Sequence, residues 1–308
     1  MAFSLNTLTA YVEQNATGLK LRQFYSAKTL TLGMEKMTGI KGPTTINKLG
    51  TEVILQAGGC GFNASGSTSI TQRTITPGSW KVNQSFCPKD LESYFTRKYL
   101  PKGQDYQGLP NEVESAFMDD FVNGIGEVFE KQIWQGDLAS ADVNLNKFDG
   151  FNKILDAASG STISTGATSG WSKATSVDIL DGIWNSLPLA LRSKTDVVCL
   201  MGVDKISQYG FKLRDLNFFH YDGKEDAMFE FTHPGTTMKV IGLPGLNGVN
   251  RIYAGQLSNF FNSFDDEWEN TPMEMFYAKE AREVRFESEG MMGVNVAYPN
   301  EIVRQITT

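Results

Sequence analysis

The sequence is poor in the residues that most often hold metals or carry out catalysis. Its 308 residues include only 2 histidines and 3 cysteines. His220 and His233 have no carboxylate or cysteine partners at the spacing of metal ligands, so we expect surface or turn positions for both. The cysteines are odd in number and far apart, which fits neither a disulfide framework nor a zinc site; they are Cys60, Cys87 and Cys199. We therefore predict neither a cofactor nor a metal site.

Long apolar runs and targeting segments are also missing. No run approaches the roughly 18 consecutive apolar residues of a membrane-spanning helix. Residues 1–15 lack both the basic and the apolar region of a signal peptide. The sequence therefore predicts no contact with a membrane and synthesis in a reducing cytoplasm.

The familiar catalytic motifs do not occur. The glycine cluster at 58–61 lacks the Gly-Lys-Ser/Thr ending of a phosphate-binding loop, and there is no dinucleotide fingerprint or Gly-x-Ser-x-Gly elbow. The acidic run at 265–269 lacks the spacing of a calcium loop, so we interpret it as a solvated turn. We predict that the protein is not an enzyme; a soluble two-domain α+β enzyme is the disfavoured alternative.

What the chain does contain is the composition of a folded protein with unevenly distributed charge. Hydrophobic residues make up 41%, aromatic residues 11%, and the net charge is −7, which argues against binding nucleic acid over the whole surface. Residues 18–48 are basic with few large apolar groups, so we expect an extended arm lying on another surface. Residues 265–289 carry nine carboxylates. Solvated segments are the alternative for both. The basic residues of interest are Lys20, Arg22, Lys28, Lys36 and Lys41.

A long amphipathic helix is predicted within residues 110–137. Asn111 is a favourable N-cap, and Gly136 suits the C-terminal end. Gly124 and Gly126 interrupt the helix and predict a bend or a close contact. Apolar side chains recur every four residues, so the apolar stripe winds around the helix; they are Val113, Phe117, Phe121, Ile125, Phe129 and Ile133.

Residues 44–79 predict a long two-stranded ribbon. Thr51–Gln56 and Ser69–Thr76 have the composition of strands, and the loop between them is rich in glycine and serine. A hairpin with polar groups on both faces is marginal in water. We therefore expect the ribbon to extend onto a neighbouring subunit, with its apolar side chains exposed in the free subunit; a ribbon folded back on its own domain is the alternative. The predicted contact residues are Val53, Leu55, Phe62, Arg73 and Ile75.

The remaining sequence predicts an α/β unit followed by two closing strands. Residues 171–261 combine helices with short apolar strands such as Val197–Met201, and the Gly/Ser/Thr-rich segment before them is typical of a linker. Two further strands are expected between Glu274 and Val296, turning at Glu289–Gly290.

Four segments in this order carry a resemblance to a known family: EVFEKQIWQGD with DGFNKIL, VVCLMGVDKISQYGFKLRD, MKVIGLPGLNGVNRIYAGQLSNFF, and EMFYAKEAREVRFESEGMMGVNVAYPNEIV. With the arm, ribbon and long helix before them, they resemble the major capsid proteins of tailed double-stranded DNA bacteriophages, which have the Hong Kong 97 fold. The resemblance covers nearly the whole chain and lies in order and spacing, since none of the segments is a sharp motif.

The resemblance implies an α+β fold in four parts. In sequence order these are an N-terminal arm at 1–43, an extended β-ribbon loop at 44–79, a peripheral domain at 80–157 and 262–308 with a spine helix at 111–136, and an α/β axial domain at 158–261.

The resemblance also implies a function. Such a chain would self-assemble through pentamers and hexamers into the icosahedral shell that encloses a phage genome, after synthesis in the cytoplasm of the host bacterium. Portal, scaffold or decoration proteins and non-specifically packaged double-stranded DNA would be its partners. From the charge asymmetry we further expect the basic arm on the inner side of the shell, near DNA or an acidic scaffold. An encapsulin-type shell of a cellular nanocompartment is the alternative.

Overall fold

The computed structural model describes residues 27–87, 111–158, 162–163, 170–216, 230–265 and 274–307. The helices in these ranges are α1 (Lys28–Thr31), α2 (Asn111–Gln135), α3 (Phe151–Ala157), α4 (Ser176–Ser186), α5 (Leu189–Arg192) and α6 (Val203–Asp215). Short 3-10 turns occupy Pro244–Leu246, Leu257–Asn259 and Pro299–Glu301.

The strands form two sheets and a separate ribbon. They are β1 (Glu35–Met37), β2 (Thr44–Glu52), β3 (Ser67–Ile75), β4 (Gly78–Phe86), β5 (Thr162–Ile163), β6 (Val197–Gly202), β7 (Glu230–Thr232), β8 (Lys239–Leu243), β9 (Arg251–Gln256), β10 (Phe260–Phe264), β11 (Glu274–Ala278), β12 (Glu283–Val296) and β13 (Val303–Ile306).

The first sheet is built around the long strand β12. Strand β4 pairs along one edge of β12, whereas β10 and β11 pair along the other, with β1 parallel beside β10. The second sheet has six strands in the order β5-β13-β9-β6-β8-β7. Strands β2 and β3 pair only with each other in the described chain and form the ribbon.

Helix α2 confirms the predicted long helix and ends one residue before the expected boundary. Ile125, Phe129 and Ile133 of the predicted apolar stripe are buried, and Phe121 packs against the same core from a half-buried position. Phe121 and Phe129 of the stripe make ring contacts with Phe286 and Trp80 of the first sheet. The side chains of residues 111–118, at the start of the helix, lie outside the described residues, and these include Val113 and Phe117 of the predicted stripe.

Aromatic contacts join α2 to each sheet. The ring of Phe129 meets that of Trp80 from β4 edge-on, with 4.8 Å between centroids. One turn further along, Trp134 stacks on Tyr253 from β9 at 5.7 Å. The two sheets are therefore fixed to a common helix, and a single core runs between them.

The six-stranded sheet is covered on both faces. Val198 and Leu200 of β6 face the α2 core, whereas Val197, Cys199 and Met201 belong to a second core with α4 and α6. This alternation follows from the two-residue period of a strand. It explains why β6 is a continuously apolar run, as its sequence predicts.

Strand β13 joins this sheet although it comes from the C-terminal end of the chain. Val303 pairs with Ala254 of β9 in antiparallel register. The predicted boundary assigned residues 262–308 to the peripheral domain, whereas the last strand of that segment pairs within the six-stranded sheet.

The described part of the N-terminal arm packs into the core of its own chain, although we expected too few large apolar groups there to join a core. Ala27, Leu30 and Met34 are buried in the α2 core, and β1 pairs with β10. The segment has few apolar residues, but three of them suffice because they enter a core that the rest of the chain already forms.

The ribbon strands lie earlier in the chain than the composition predicts. Pairing runs from Thr44 opposite Ile75 to Glu52 opposite Ser67, so the apolar 53–55 stretch lies beyond the paired region. Gly66, with a φ of +90°, starts the return immediately before Ser67. The position of β2 is determined by its partner β3, and the β-branched residues after Glu52 have no strand to pair with in the described chain.

The predicted turn at Glu289–Gly290 is wrong. Strand β12 continues through both residues, and the chain reverses earlier, at 279–282, where Arg282 has a φ of +56°. Gly290 is needed for another reason: a Cβ there would lie 2.8 Å from the indole ring of Trp80, its cross-strand partner.

A pair of glycine substitutions tests this packing. A Cβ at Gly124 would meet no atom of the described residues within 4 Å, so the predicted alternative of a close contact at Gly124 is not found among them. We expect Gly124→Ala to raise the free energy of unfolding of the subunit by about 0.5–1 kcal/mol through helix propensity alone.

Gly150→Ala is the matched comparison. Its Cβ would lie 2.7 Å from the Gly136 nitrogen and 2.8 Å from the Ile133 oxygen. We expect a loss of about 1–3 kcal/mol from overpacking. Urea denaturation of the subunit measures both, and destabilisation by Gly124→Ala would contradict the open space described at that position.

Candidate interaction surfaces

The ribbon projects its side chains into solvent. Every residue from Leu49 to Gln72 is exposed. At the ribbon tip, which we define as residues 53–66, Val53 is 78%, Leu55 94% and Phe62 93% exposed. The prediction that these three apolar side chains are exposed in the free subunit is therefore confirmed, whereas their contact with a neighbour stays a prediction.

Ile75 does not belong to this surface. It is completely buried and packs with Ile46 and Ala297, so its predicted exposure in the free subunit is wrong. The reason is register: Ile75 lies at the base of the ribbon, opposite Thr44, where β3 enters the core. The sequence has no signal that separates the base of the ribbon from its tip.

Arg73 lies near the ribbon base and already has a partner in its own chain. Its Nη2 donates a hydrogen bond of 3.2 Å to Oδ1 of Asn295 on β12. Partial burial lowers the pKa of Arg73 from its ordinary value. The side chain thus links the ribbon to the first sheet, and its predicted role toward a neighbour stays a prediction.

The basic residues of the arm fall into three groups. Lys20 and Arg22 lie outside the described residues. Lys36 and Lys41 are exposed. Lys28 is half-buried and donates a hydrogen bond of 3.0 Å from Nζ to the carbonyl oxygen of Gly242. Lys28 therefore fastens the arm to its own chain.

A buried carboxylate joins three parts of the molecule. Glu130 of α2 accepts hydrogen bonds from the Thr29 backbone N–H at 2.8 Å and the Thr29 hydroxyl at 2.7 Å. The backbone N–H of Gly245 donates to the same carboxylate at 3.3 Å, and Trp134 Nε1 donates to the Thr29 hydroxyl at 2.8 Å. Arm, long helix and the turn after β8 thus meet at one side chain, which sequence reasoning missed because its partners are 101 and 115 residues away.

Burial governs the electrostatics of this junction. Desolvation raises the pKa of Glu130, and the hydrogen bonds from Thr29 and Gly245 and the nearby charge of Lys28 oppose that rise. On balance the pKa of Glu130 is raised, so keeping the ionised carboxylate buried costs free energy, and protonation removes that cost.

A second buried polar chain lies in the other core. His233 starts a turn, as expected, with its carbonyl accepting from the Thr236 N–H at 3.1 Å, but it is 1% exposed and therefore not a surface residue. Its Nδ1 lies 2.8 Å from the Tyr209 hydroxyl and its Nε2 lies 2.8 Å from Asp181 Oδ1. Burial raises the pKa of Tyr209, so this hydroxyl stays protonated. The arrangement ties α4, α6 and the β7–β8 connection together; His220 lies outside the described residues.

A cleft of about 530 Å³ lies between β4 and α2. Five consecutive residues of β4, from Trp80 to Gln84, line one side, and Ile125, Val128 and Phe148 are among the apolar residues of the other. Gly124 faces it without a side chain. This is an apolar groove with a strand along its wall.

Metal-binding and membrane-spanning features are not found in the described ranges. No group of three or more His, Cys, Asp or Glu side chains there could hold a metal ion. No described helix combines the length and apolar character needed to cross a membrane. Cys60 is exposed, Cys87 half-buried and Cys199 buried, and burial raises the pKa of the Cys199 thiol.

The fold is shared with shell proteins of known structure. A chain of the satellite phage P4 procapsid matches with a TM-score of 0.62 and 11% identity, covering 94% of this chain and 90% of that chain. A chain of the cyanophage A-1(L) capsid matches with a TM-score of 0.57 and 12% identity, covering 93% and 91%. A virus-like particle from Pyrococcus furiosus matches with a TM-score of 0.52 and 8% identity, covering 95% and 98%.

Sequence comparison adds nothing to this likeness, because no family model and no curated protein matches the chain. The structural matches cover more than nine-tenths of this chain. The chain therefore has the Hong Kong 97-type α+β capsid fold that the order of its sequence segments predicted.

The Glu130 junction yields a test of how the arm is held. Glu130→Ala removes the acceptor of the Thr29 and Gly245 N–H groups, so we expect the free energy of unfolding to fall by about 2–4 kcal/mol. Glu127→Ala, at an exposed position of the same helix, should change it by less than about 0.5 kcal/mol. Urea denaturation of the two variants decides, and equal effects would contradict the junction.

The raised pKa of Glu130 predicts the direction in which stability changes with pH. Between its ordinary and its raised pKa, the folded protein binds more protons than the unfolded chain, so this group adds stability as pH falls. We expect the unfolding free energy of the wild type minus that of Glu130→Gln to increase from neutral to mildly acidic pH. A difference that shrinks would show that the pKa is lowered instead.

Proposed function

We propose that this chain is the major capsid protein of a tailed double-stranded DNA bacteriophage, a structural protein without enzymatic activity. It assembles through pentamers and hexamers into the icosahedral shell around the genome. The observation that carries this proposal is a capsid fold over more than nine-tenths of the chain, shared with the P4 procapsid and cyanophage capsid chains.

The ribbon supports assembly on physical grounds. Its nine paired residues on each strand span about 30 Å, and an isolated hairpin of this kind is marginal in water. Burying Val53, Leu55 and Phe62 against another subunit would contribute on the order of several kcal/mol at about 25 cal/mol per Å², before the cost of ordering the tip. In a monomer the apolar side chains of the ribbon tip stay exposed to water.

The four-part division belongs to the same proposal. The arm comprises 1–43, the extended loop 44–79, the peripheral domain 80–157 with 262–308, and the axial domain 158–261. Two hydrophobic cores, one around α2 and one between α4, α6 and the six-stranded sheet, support the separation. Pairing of β13 with β9 modifies it, because the C-terminal strand ties the two domains together.

Partners and location follow from the role. A shell that packages DNA needs a portal and works with scaffold or decoration proteins, and it forms in the cytoplasm of the host bacterium before becoming the virion capsid. Exposed Lys36 and Lys41, with Lys20 and Arg22, would line the inner side, where non-specific attraction to DNA phosphates is favourable.

An encapsulin-type nanocompartment shell is the second candidate. The match to the virus-like particle from Pyrococcus furiosus covers 98% of that chain, which favours it, although the TM-score is lower than for the P4 procapsid. The contents distinguish the two: packaged double-stranded DNA and a portal vertex support the phage capsid, whereas enclosed protein cargo supports the nanocompartment.

Particle formation is the direct test of the role. Expressed alone or with the neighbouring genes of its locus, the protein should form pentamers, hexamers or closed icosahedral particles, visible by light scattering and electron microscopy. A strictly monomeric protein at high concentration, with all such partners supplied, would refute the proposal.

The ribbon tip gives a second prediction. Leu55→Ser with Phe62→Ser alters side chains that are 94% and 93% exposed, so the free energy of unfolding of the subunit should change by less than about 0.5 kcal/mol. Particle yield or heat resistance should fall. Hydrogen exchange at 53–66 should be fast in the free subunit and slow in the particle; equal protection in both would contradict contact with a neighbour.

The arm gives a third prediction with an internal comparison. Lys36→Gln with Lys41→Gln should leave the subunit folded but reduce DNA packaging in a salt-dependent manner. Lys28→Gln should instead destabilise the subunit, because it removes the hydrogen bond to Gly242. Unchanged packaging by the first variant at every ionic strength would count against an inner, DNA-facing arm.

A further inference from the structure

A second cavity lies where the base of the ribbon meets α3 and β12. Its volume is about 370 Å³, far more than the roughly 10–15 Å³ that one water molecule requires. Arg73 of β3, Asn295 of β12, and Lys153 and Ala157 of α3 are among the residues that line it. Ala157 is exposed and Arg73 is half-buried, so the cavity opens to solvent. A polyatomic ion with part of its hydration shell fits this space.

Arg73 brings a positive charge to this cavity that no carboxylate of the described residues neutralises. Its Nη2 donates to Asn295 Oδ1 at 3.2 Å, whereas its buried Nε has no acceptor in the described part of the chain. Burial lowers the pKa of Arg73, which is the effect of desolvation without a counter-charge. Residues 159–169, which continue the chain from the cavity wall, contain neither Asp nor Glu. Most of the five donors of this guanidinium are therefore available to a ligand.

The carboxylate at the cavity wall already has partners. Asp149 accepts a hydrogen bond of 2.9 Å from the backbone N–H of Leu138 and forms an ion pair of 3.0 Å with Lys153. The ammonium group of Lys153 also lies 2.5 Å from Asp137. An ammonium group has three N–H donors, so one donor of Lys153 remains for a ligand in the cavity.

A further carboxylate on α3 is shared between two arginines. Asp156 lies 2.5 Å from Arg304 and 3.1 Å from Arg251. Together with the two ion pairs of Lys153 and the guanidinium of Arg73, the described residues of this region contain four cations and three carboxylates. One positive charge is left over, and it belongs to the side chain that has no carboxylate partner there, Arg73.

An oxyanion has the chemistry that this cavity requires. A guanidinium binds carboxylates and phosphates through parallel charge-assisted hydrogen bonds. A carboxylate offers two oxygens in one plane, whereas a tetrahedral ion offers oxygens in several directions. Because Arg73 and Lys153 reach the cavity from different elements, a tetrahedral ion can accept hydrogen bonds from both.

We infer that the cavity lined by Arg73, Lys153 and Asn295 is a binding site for a tetrahedral oxyanion of the phosphate class, which joins the base of the ribbon to α3. The inference goes beyond the proposed function and does not depend on it, because it rests on the cavity and its charges. The phosphate is either a free inorganic ion or a backbone phosphate of DNA, and competition separates these two sources.

Binding of inorganic phosphate to the purified protein is the first test. Isothermal titration calorimetry at constant ionic strength should show one phosphate per chain. The melting temperature should rise by about 2–4 °C when phosphate exceeds its dissociation constant by about tenfold. Sodium chloride at the same ionic strength should not produce this rise. Equal effects of phosphate and chloride would overturn the inference.

Removal of the guanidinium is the second test. Arg73→Gln should weaken phosphate binding by about tenfold or more, because it removes the charge-assisted hydrogen bonds of the unpaired cation. Arg214→Gln is the matched control, since Arg214 is exposed on α6 and does not line the cavity. The same affinity in the two variants would show that phosphate does not bind at Arg73.

A second pair of variants keeps Arg73 and its hydrogen bond to Asn295 in place. Ala157→Glu brings a carboxylate to the cavity wall, where it should pair with Arg73 and abolish phosphate binding. Ala157→Gln has nearly the same size without the charge and should bind phosphate as the wild type does. This pair decides the question if Arg73→Gln fails to fold. Equal phosphate binding by the two Ala157 variants would count against the site.

Competition with a short DNA duplex identifies the source of the phosphate. If the duplex displaces inorganic phosphate from the wild type and binds less tightly to Arg73→Gln, the site receives a backbone phosphate. If the duplex leaves phosphate binding unchanged, the site holds the free ion. Both results support the site. Particle formation is a separate measurement, so failure of the oxyanion site would leave the capsid function standing.

Discussion

The buried carboxylate of Glu130 is the interaction on which the arrangement of the parts depends. It accepts hydrogen bonds from Thr29 in the arm and Gly245 in the turn after β8, while its own helix carries the aromatic contacts to both sheets. An ionised group in a core is unfavourable unless its hydrogen bonds are made, so arm, helix and turn must be present together. One side chain thereby makes the positions of three distant segments interdependent.

This interdependence contrasts with the ribbon. The described arm, α2 and the two sheets pack into a core within one chain. The residues from Leu49 to Gln72 are instead exposed to solvent. Among the described residues, β4 pairs with β12, and a cleft of about 530 Å³ lies between β4 and α2. A chain with an exposed projection about 30 Å long, carrying apolar side chains at its tip, is suited to repeating contacts between copies.

The elements that were predicted correctly are those with strong local periodicity. Helix α2 follows from an N-cap and a four-residue apolar repeat, and β6 follows from a continuous apolar run. The errors have a common cause in long-range partners. Strand β2 starts at Thr44 because β3 pairs there, Gly290 serves the ring of Trp80, and His233 is buried because Tyr209 and Asp181 reach it from two helices.

The type of the strongly periodic elements was determined by the sequence alone, because periodicity and capping act between neighbours in the chain. The capsid fold was predicted through the resemblance that the order of the sequence segments carries. Only the tertiary structure decided which apolar residues of the ribbon are free: Leu55 and Phe62 are exposed, whereas Ile75 is buried against Ile46 and Ala297. It also decided the Glu130 junction and the cleft beside β4. Burial and hydrogen bonding at these places depend on residues far apart in the chain, and no local pattern records their proximity.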